Sequence, residues 1–211
     1  MAFIIGKCAF MKNSMHVART ISYLERQSAL FSDSGELNFE QAYQSYIDAS
    51  PPRVWHHIIS LSAEDAQRLN VDREYMKQLL CVEQSRIAEA YNTVPSNMRI
   101  VASWHEKDHH PHLHLLFYST DRREGGVWAH TDQEAKVKLN DASEKVKSLF
   151  ANRIFTDDLA PLKEIKNMRR AELNQQVKQS IRAIAQHDPS DEVVKALEHL
   201  SHSLSGLKGK L

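Results

Sequence analysis

The sequence MRIVASWHEKDHHPHLHLLFY, residues 98–118, holds five of the twelve histidines of the chain and sets the expected architecture. Apolar, β-rich segments lie at both ends of this stretch, at residues 98–102 and 113–118. Short, partly alternating apolar runs on either side of a polar segment predict two β-strands joined by a loop. Pro111 lacks a backbone donor and therefore marks the start of the second strand.

The two predicted strands give three of these histidines a common direction. Side chains two residues apart on a strand face the same side, so His112 and His114 project together. His105 closes the first strand, and the three imidazoles converge if the two strands are neighbours in one sheet. Imidazole suits Zn, Mn, Fe or Ni, and three protein ligands leave positions open for water or substrate. We expect His109 and His110 in the connecting loop; a solvated histidine-rich turn is the alternative to a metal site.

Length and composition indicate a soluble protein with one main core. A chain of 211 residues accommodates one domain, or one domain with an extension. The charges balance, with 27 Lys and Arg against 27 Asp and Glu. This balance counts mildly against a general nucleic-acid binder, but it does not exclude a local basic face. No apolar run approaches the roughly 18 residues that span a bilayer, so no membrane insertion is expected.

Two further features of the sequence predict a cytoplasmic protein. The N-terminal sequence MAFIIGK lacks the charged region, the long apolar region and the cleavage site of a signal peptide. Cys8 and Cys81 lie far apart and have no metal-type spacing. We therefore expect both to be reduced, buried thiols.

The remaining apolar periodicity predicts an α+β fold. Further strands are expected at residues 3–11, 54–61 and 127–130. Helices are expected from Met15 after an Asn13-Ser14 cap, then at 39–47, 72–91 and about 131–155, with polar helices at about 161–186 and 192–204. This order predicts a central antiparallel sheet of about five strands, with helices covering one side and the histidine strands in the middle.

The expected metal site also suggests a nucleophile. A metal with open positions can polarise a phosphate or a carbonyl, or activate water, and tyrosine can form a covalent intermediate. An unperturbed tyrosine titrates near pH 10 and needs a base; Asp108 or Glu106, beside the ligands, could be that base or orient a ligand. All six tyrosines are candidates by type, and a position next to the first strand slightly favours Tyr23. A half-buried aromatic packed on the sheet is the alternative for Tyr23.

The arrangement His105-x(5)-Pro111-His112-x-His114, followed by an apolar strand, resembles the HUH motif of conjugative relaxases. More specifically, it resembles the P class of mobilisation relaxases, found on plasmids and integrative conjugative elements. Other matching segments are SYLER at 22–26, LFSDSG at 30–35, VWHHIISL at 54–61, EDAxRL at 64–69 and YSTD at 118–121. The tyrosine segment is similar to that of a branch known from Gram-positive integrative elements.

The resemblance implies a specific reaction. Such relaxases nick one strand of supercoiled DNA at an origin of transfer, keep the 5′ end as a phosphotyrosine and leave a free 3′ hydroxyl. Tyr23 matches the nucleophile, and His105, His112 and His114 match the ligands of a metal that is typically Mg²⁺ or Mn²⁺ in activity. Other transition metals could occupy the histidine site. The family often has an acidic residue where this chain has Lys107, which leaves the acid–base role open between Glu106 and Asp108.

The resemblance also implies an organisation and partners. The matching segment ends near Leu159, which predicts a relaxase domain at residues 1–159 and a helical extension at 160–211. The expected partners are single-stranded or supercoiled DNA at an origin of transfer, accessory DNA-binding proteins and a type IV secretion coupling protein.

Several polar residues have two interpretations. Arg122 and Arg123, in a turn beside the expected site, could contact DNA phosphates, and so could Arg26 on the first helix; a solvated turn or helix end is the alternative. His56 and His57 alternate faces on one strand, so one could look toward the metal, and a core-packed or exposed histidine is the alternative. Two other functions remain as rival hypotheses. One is a rolling-circle replication initiator or transposase with the same motif, and the other is an inactive single-stranded-DNA-binding module.

Overall fold

The computed structural model describes residues 5–124 and 132–187, together with Lys195. The chain divides into two compact units, residues 1–156 and 157–211. The strands are β1 (Ile5–Met11), β2 (Leu30–Ser32), β3 (Gly35–Leu37), β4 (Val54–Ser60), β5 (Met98–His105) and β6 (His112–Ser119). The helices are α1 (Ser14–Gln27), α2 (Phe39–Ala49), α3 (Ala63–Arg68), α4 (Arg73–Ala90), α5 (Asp132–Ile154) and α6 (Thr156–His187), with a 3₁₀ turn at Pro95–Asn97.

The strands form one antiparallel sheet in the order β1-β4-β6-β5-β2-β3. The predicted α+β class is confirmed, and the two histidine strands β5 and β6 lie in the middle of the sheet as expected. Six strands are present where about five were predicted. The additional pair is the β2–β3 hairpin, in a segment where the sequence indicated only a turn. Gly35 has a φ of 145°, which residues with a side chain rarely adopt, and so permits this tight reversal. The predicted strand at 127–130 lies outside the described residues.

Helices α1 and α2 cover part of one face of the sheet. The side chain of Asn13 accepts hydrogen bonds from the backbone N–H groups of Met15 and His16, which confirms the predicted cap of α1. The buried residues of α1 recur at three-to-four spacing and pack in one cluster with residues of β5 and β6: Val17, Ile21, Leu24, Val101, Leu116 and Tyr118. This packing fixes the position of α1 on the sheet, and with it the direction of its exposed side chains.

Helices α4 and α5 cover the opposite face, so the expectation that helices cover one side only is wrong. On this second face, Trp55 packs between Phe10 and Tyr91, and the ring of Tyr91 lies 4.5 Å from that of Phe117. Glu83 of α4 is fully buried and accepts a hydrogen bond from Arg153 of α5. Strands β4 to β6 are rich in apolar residues on both faces, and this pattern requires cover on both sides.

The side chain of His57 is buried beneath α4 and hydrogen-bonds to the hydroxyl of Tyr91 at 2.6 Å. Burial, with a smaller contribution from neighbouring His56, lowers the pKa of His57 to about 3. An imidazole in the unfolded chain titrates near 6.5, so below this pH the unfolded state binds more protons than the folded state. The stability that neutral His57 contributes is therefore complete above about pH 6.5 and is lost as the pH falls toward 3.

We expect His57→Gln to flatten the acid dependence of stability. Between pH 7 and pH 5, the wild type should lose about 2 kcal/mol more free energy of unfolding than the variant, because glutamine takes up no proton. Urea unfolding at the two pH values measures this difference. His109→Gln, in the exposed loop, is the control. An equal loss in the wild type and in His57→Gln would contradict the assignment.

Both cysteines are free thiols. Cys8 is half-buried, and burial raises its pKa to about 12. Cys81 lies on the exposed side of α4, where Val82 is also exposed, so the predicted burial is wrong for Cys81. The side of α4 on which Cys81 lies could not be predicted, because α4 carries apolar residues on more than one side.

The second compact unit contains most of α6, a helix of 32 residues. The sequence predicted a helix from about 161, but α6 begins at Thr156 and contains Pro161.

No helix among residues 5–124 and 132–187 is long and apolar enough to cross a membrane. The division between a relaxase domain ending at 159 and an extension from 160 remains a prediction about function.

Candidate metal centre and nucleophile

The β5–β6 hairpin brings His105, His112 and His114 together. His105 is the last residue of β5 and pairs with His112, while Ser103 pairs with His114. Residues in register on neighbouring strands point to the same face, so all three imidazoles lie on the face that carries α1. One ligand atom from each residue can be chosen such that all three lie within 4.8 Å of one another. A single ion could therefore bind all three.

Hydrogen bonds leave the required ring nitrogens free. Nδ1–H of His112 donates to the backbone carbonyl of His110 at 2.8 Å, since a carbonyl can only accept. Nδ1 of His114 lies 2.9 Å from Nε2 of His56. Both ring nitrogens of His105 are buried without a hydrogen-bond partner among the described residues. Buried polar atoms without partners are rare and costly, so His105 indicates a missing ligand such as a metal ion.

The environment of two of the three imidazoles, those of His105 and His114, favours the neutral form. Burial, with smaller contributions from neighbouring histidines, lowers the pKa of His105 to about 4 and that of His114 to about 3. Neutral imidazole is the form that binds metal ions. Three imidazole donors, one of them without a protein partner, fit a divalent metal and leave coordination positions open.

The side chain of Tyr23 lies over the histidine cluster. Its ring centroid is 6.1 Å from that of His105 and 6.5 Å from that of His114, and 46% of the residue is exposed. The hydroxyl of Ser103 donates to the backbone carbonyl of Leu24 at 3.4 Å and holds the end of α1 against β5. The fold thus places one accessible phenol beside three potential metal ligands.

The model of the MobL relaxases matches residues 10–204 of the chain. The chain belongs to the MobL relaxase family. The match continues beyond residue 159, through most of the second compact unit. Searches of curated proteins and of solved structures returned no match.

The two carboxylates of this MobL relaxase lie beside the cluster in sequence, but they occupy another side of the loop. Glu106 and Asp108 are exposed and line an open pocket with Trp104 and Val71. Trp104 alternates with His105 and points to the opposite face of the sheet. Within residues 5–124 and 132–187, neither carboxylate hydrogen-bonds to a histidine of the cluster or to Tyr23. Lys107, in contrast, donates to the side chain of Gln27 at the end of α1.

The three arginines predicted to contact DNA lie at different distances from the histidine cluster. Arg26 is exposed on α1, three residues after Tyr23 and on the same side of the helix. Arg122 and Arg123 follow β6 at the end opposite to His112. With a strand rise of about 3.3 Å per residue, that end lies roughly 23 Å from His112. The expectation that Arg122 and Arg123 lie beside the site is therefore wrong, while their role in DNA binding remains a prediction.

Two residues near the site were not singled out from the sequence. Arg19 is exposed four residues before Tyr23, so that it lies on the same side of α1 as Tyr23 and Arg26. Lys7 is exposed on β1 and pairs with Ile58, which in turn pairs with His114. The helical spacing 19-23-26 was a signal available in the sequence. The position of Lys7 was not, because it depends on which strands are neighbours.

Proposed function

We propose that this MobL relaxase nicks one strand of DNA at an origin of transfer and keeps the 5′ end on Tyr23. The observation that carries the proposal is the accessible phenol of Tyr23, with its ring 6.1 Å from that of His105 in the histidine cluster. Family membership supports the relaxase class; the nucleophile, the covalent intermediate and the origin of transfer are parts of the proposal. Strand transfer follows when a 3′ hydroxyl attacks the phosphotyrosine.

The reaction is a transesterification that conserves the number of phosphodiester bonds. The Tyr23 oxygen attacks the scissile phosphorus, the bond from phosphorus to O3′ breaks, and the leaving O3′ takes up a proton. The product is a phosphotyrosine at the 5′ end and a free 3′ hydroxyl. A divalent metal bound by His105, His112 and His114 would draw negative charge from the scissile phosphate. The three imidazoles would hold that ion without adding negative charge near the DNA.

A base must accept the phenolic proton, and we propose Asp108 or Glu106 for this role. Both carboxylates lie in the short loop between His105 and His112 and are exposed to solvent. Hydrogen bonds used in catalysis are often absent from the free enzyme and form only in the substrate complex. The proposal therefore requires the loop to turn one carboxylate toward Tyr23 when DNA is bound.

The biological setting is also part of the proposal. We assign the protein to the P class of mobilisation relaxases, in the branch of Gram-positive integrative elements, on the tyrosine segment at 22–26. Mg²⁺ or Mn²⁺ would be the metal in activity. The protein would act in the cytoplasm, with accessory DNA-binding proteins and a type IV secretion coupling protein as partners.

The positions of exposed basic residues near the histidine cluster suggest the path of the DNA strand. Arg19, Tyr23 and Arg26 form one exposed line along α1, and Lys7 lies in the same cross-strand row as His114, two strands or about 10 Å away. We call the surface formed by Arg19, Arg26 and Lys7, together with Tyr23, the basic face. Strands β1 and β4 contain no acidic residue. The only acid of α1, Glu25, accepts a hydrogen bond from the backbone of Phe39. The basic face can therefore bind phosphates on both sides of the scissile bond.

We expect Arg19→Ala and Arg26→Ala each to weaken single-strand binding at every sequence tested. Each lost phosphate contact should reduce the slope of log affinity against log salt by about 0.7. Fluorescence anisotropy at several salt concentrations measures the slope. Arg86→Ala, on α4 at the opposite face of the sheet, is the matched control. Unchanged slopes in both variants would place the DNA elsewhere, and a reduced slope in Arg122→Ala would extend the path to the far end of β6.

The proposed function is tested with single-stranded oligonucleotides of the cognate origin and of scrambled sequence, in Mn²⁺ or Mg²⁺. A label on the 3′ side of the cut should migrate with the protein on a denaturing gel, and a label on the 5′ side should give a free, shorter strand. Adding a second strand with a free 3′ hydroxyl should release the protein and give a joined product. Tight binding without a covalent product would favour an inactive DNA-binding module. Cleavage at a replication origin or transposon end only would favour the replication or transposition alternatives.

A further inference from the structure

We infer that His56 is a positioning residue that orients the imidazole of His114 and fixes its tautomer. This inference rests on the metal site of the proposed function. The nitrogen Nε2 of His56 lies 2.9 Å from Nδ1 of His114, and the two ring centroids are 5.1 Å apart with the planes inclined by 30°. The sequence could place His56 and His57 on opposite faces of β4, but it could not show which one meets the cluster.

The sheet register makes this contact possible. His56 pairs with Leu116, and Ile58 pairs with His114, so that His56 is the diagonal neighbour of His114 on the same face. The side chain of His56 is half-buried. A neutral imidazole held in this position can offer a lone pair as well as an N–H group.

The proton positions follow from the requirement for a ligand. To bind a metal through Nε2, His114 must have its lone pair there and its proton on Nδ1. This proton then donates to the lone pair on Nε2 of His56, and His56 keeps its own proton on Nδ1. The opposite arrangement, with His56 donating, would place a proton on the metal-facing nitrogen of His114. As the acceptor of this hydrogen bond, His56 holds His114 in the tautomer that binds metal.

His112 is held in the same way, since its Nδ1–H donates to the carbonyl of His110. Partners of this kind raise the basicity of a metal-binding histidine and fix its orientation. His56 does not belong to the set of metal-ligand candidates found among the described residues. Its nitrogen Nε2 is used by His114, so a role as a fourth ligand through this atom is excluded in this geometry.

The test compares His56→Leu, which removes the acceptor at similar volume, with His56→Gln, which keeps an acceptor. Binding of Mn²⁺ or Co²⁺ is measured by calorimetry in the absence of DNA. We expect His56→Leu to bind the metal 10- to 100-fold more weakly, as is typical when such a partner is lost, and His56→Gln to stay within a few fold of the wild type. His57→Gln is the matched control, because His57 is adjacent on β4 but faces away, and its metal affinity should not change.

A second measurement separates positioning from folding. The tautomer of His114 in the metal-free protein can be read from long-range ¹H–¹⁵N correlations of its ring. We expect a single Nδ1–H form in the wild type and a mixture in His56→Leu. If His56→Leu does not fold, His56→Ala removes the acceptor without added bulk and serves in its place.

The outcomes distinguish this inference from the proposed function. Equal metal affinity in wild type and His56→Leu, or equal weakening in His56→Leu and His56→Gln, overturns the role of His56. A wild type that binds no metal overturns both the metal site and the role of His56. The expected affinities in a protein that never forms a covalent DNA adduct support the role of His56 while the proposed reaction fails.

Discussion

Replacing Tyr23 by Phe should abolish the covalent protein–DNA adduct and reduce nicking by about 10⁴-fold or more, a size typical of losing a nucleophile. The change removes one oxygen atom and leaves the ring, which lies 6.1 Å from that of His105. Because 46% of Tyr23 is exposed, we expect the loss of its hydroxyl to break no buried contact. The stability of the free protein should therefore change little. Adduct formation on a denaturing gel and single-turnover nicking measure the effect.

Tyr43→Phe is the matched control for Tyr23→Phe. Tyr43 lies on α2, where its ring stacks on that of Phe39 and not on the histidines. We expect full adduct formation in Tyr43→Phe, and wild-type metal and DNA affinity in both variants. An adduct that survives in Tyr23→Phe would keep the enzyme but move the nucleophile, with Tyr43 and Tyr46 as the next candidates. Loss of DNA binding in Tyr23→Phe would instead indicate a role in holding the substrate.

The central sheet and the histidine cluster could be predicted because they depend on local pattern. The two apolar runs at 98–102 and 113–118 are long enough to specify strands, and the short loop between them favours antiparallel neighbours. Alternation then fixes which histidines share a face, without knowledge of any other strand. The cap of α1 was equally local, since Asn13 accepts hydrogen bonds from the helix that follows it.

The features that were missed depend on contacts between distant segments. The β2–β3 hairpin has three residues in each strand, too few for a periodic signal. The positions of His56 and Lys7 relative to the histidine cluster depend on the strand order, in which β4 lies between β1 and β6. The misplacement of Arg122 and Arg123 has another cause. They follow the histidine strand closely in sequence, but an extended strand carries them away from the cluster.

The second large effect is expected for His105→Leu, which should weaken metal binding by at least about 100-fold, more than is typical for loss of an outer partner. His105 provides one of only three candidate ligands, and neither of its ring nitrogens has another use among the described residues. Nicking should fall in parallel, because two histidines hold the ion too weakly at ordinary concentrations. Titration calorimetry with Mn²⁺ measures the affinity. His109→Leu, in the exposed loop, is the control and should bind like the wild type.

The stabilities of the wild type and of His105→Leu, measured with and without metal, provide a second test of this prediction. A buried polar group without a partner costs about 1–3 kcal/mol, so His105→Leu should be at least as stable as the wild type when no metal is present. With the metal at 100 times its dissociation constant, the wild type should gain about 2.7 kcal/mol, and the variant should gain little. The order of the two stabilities should therefore reverse when metal is added. If His105 is a metal ligand, we expect this reversal. If His105 serves only in packing, His105→Leu should change the free energy of unfolding equally with and without metal.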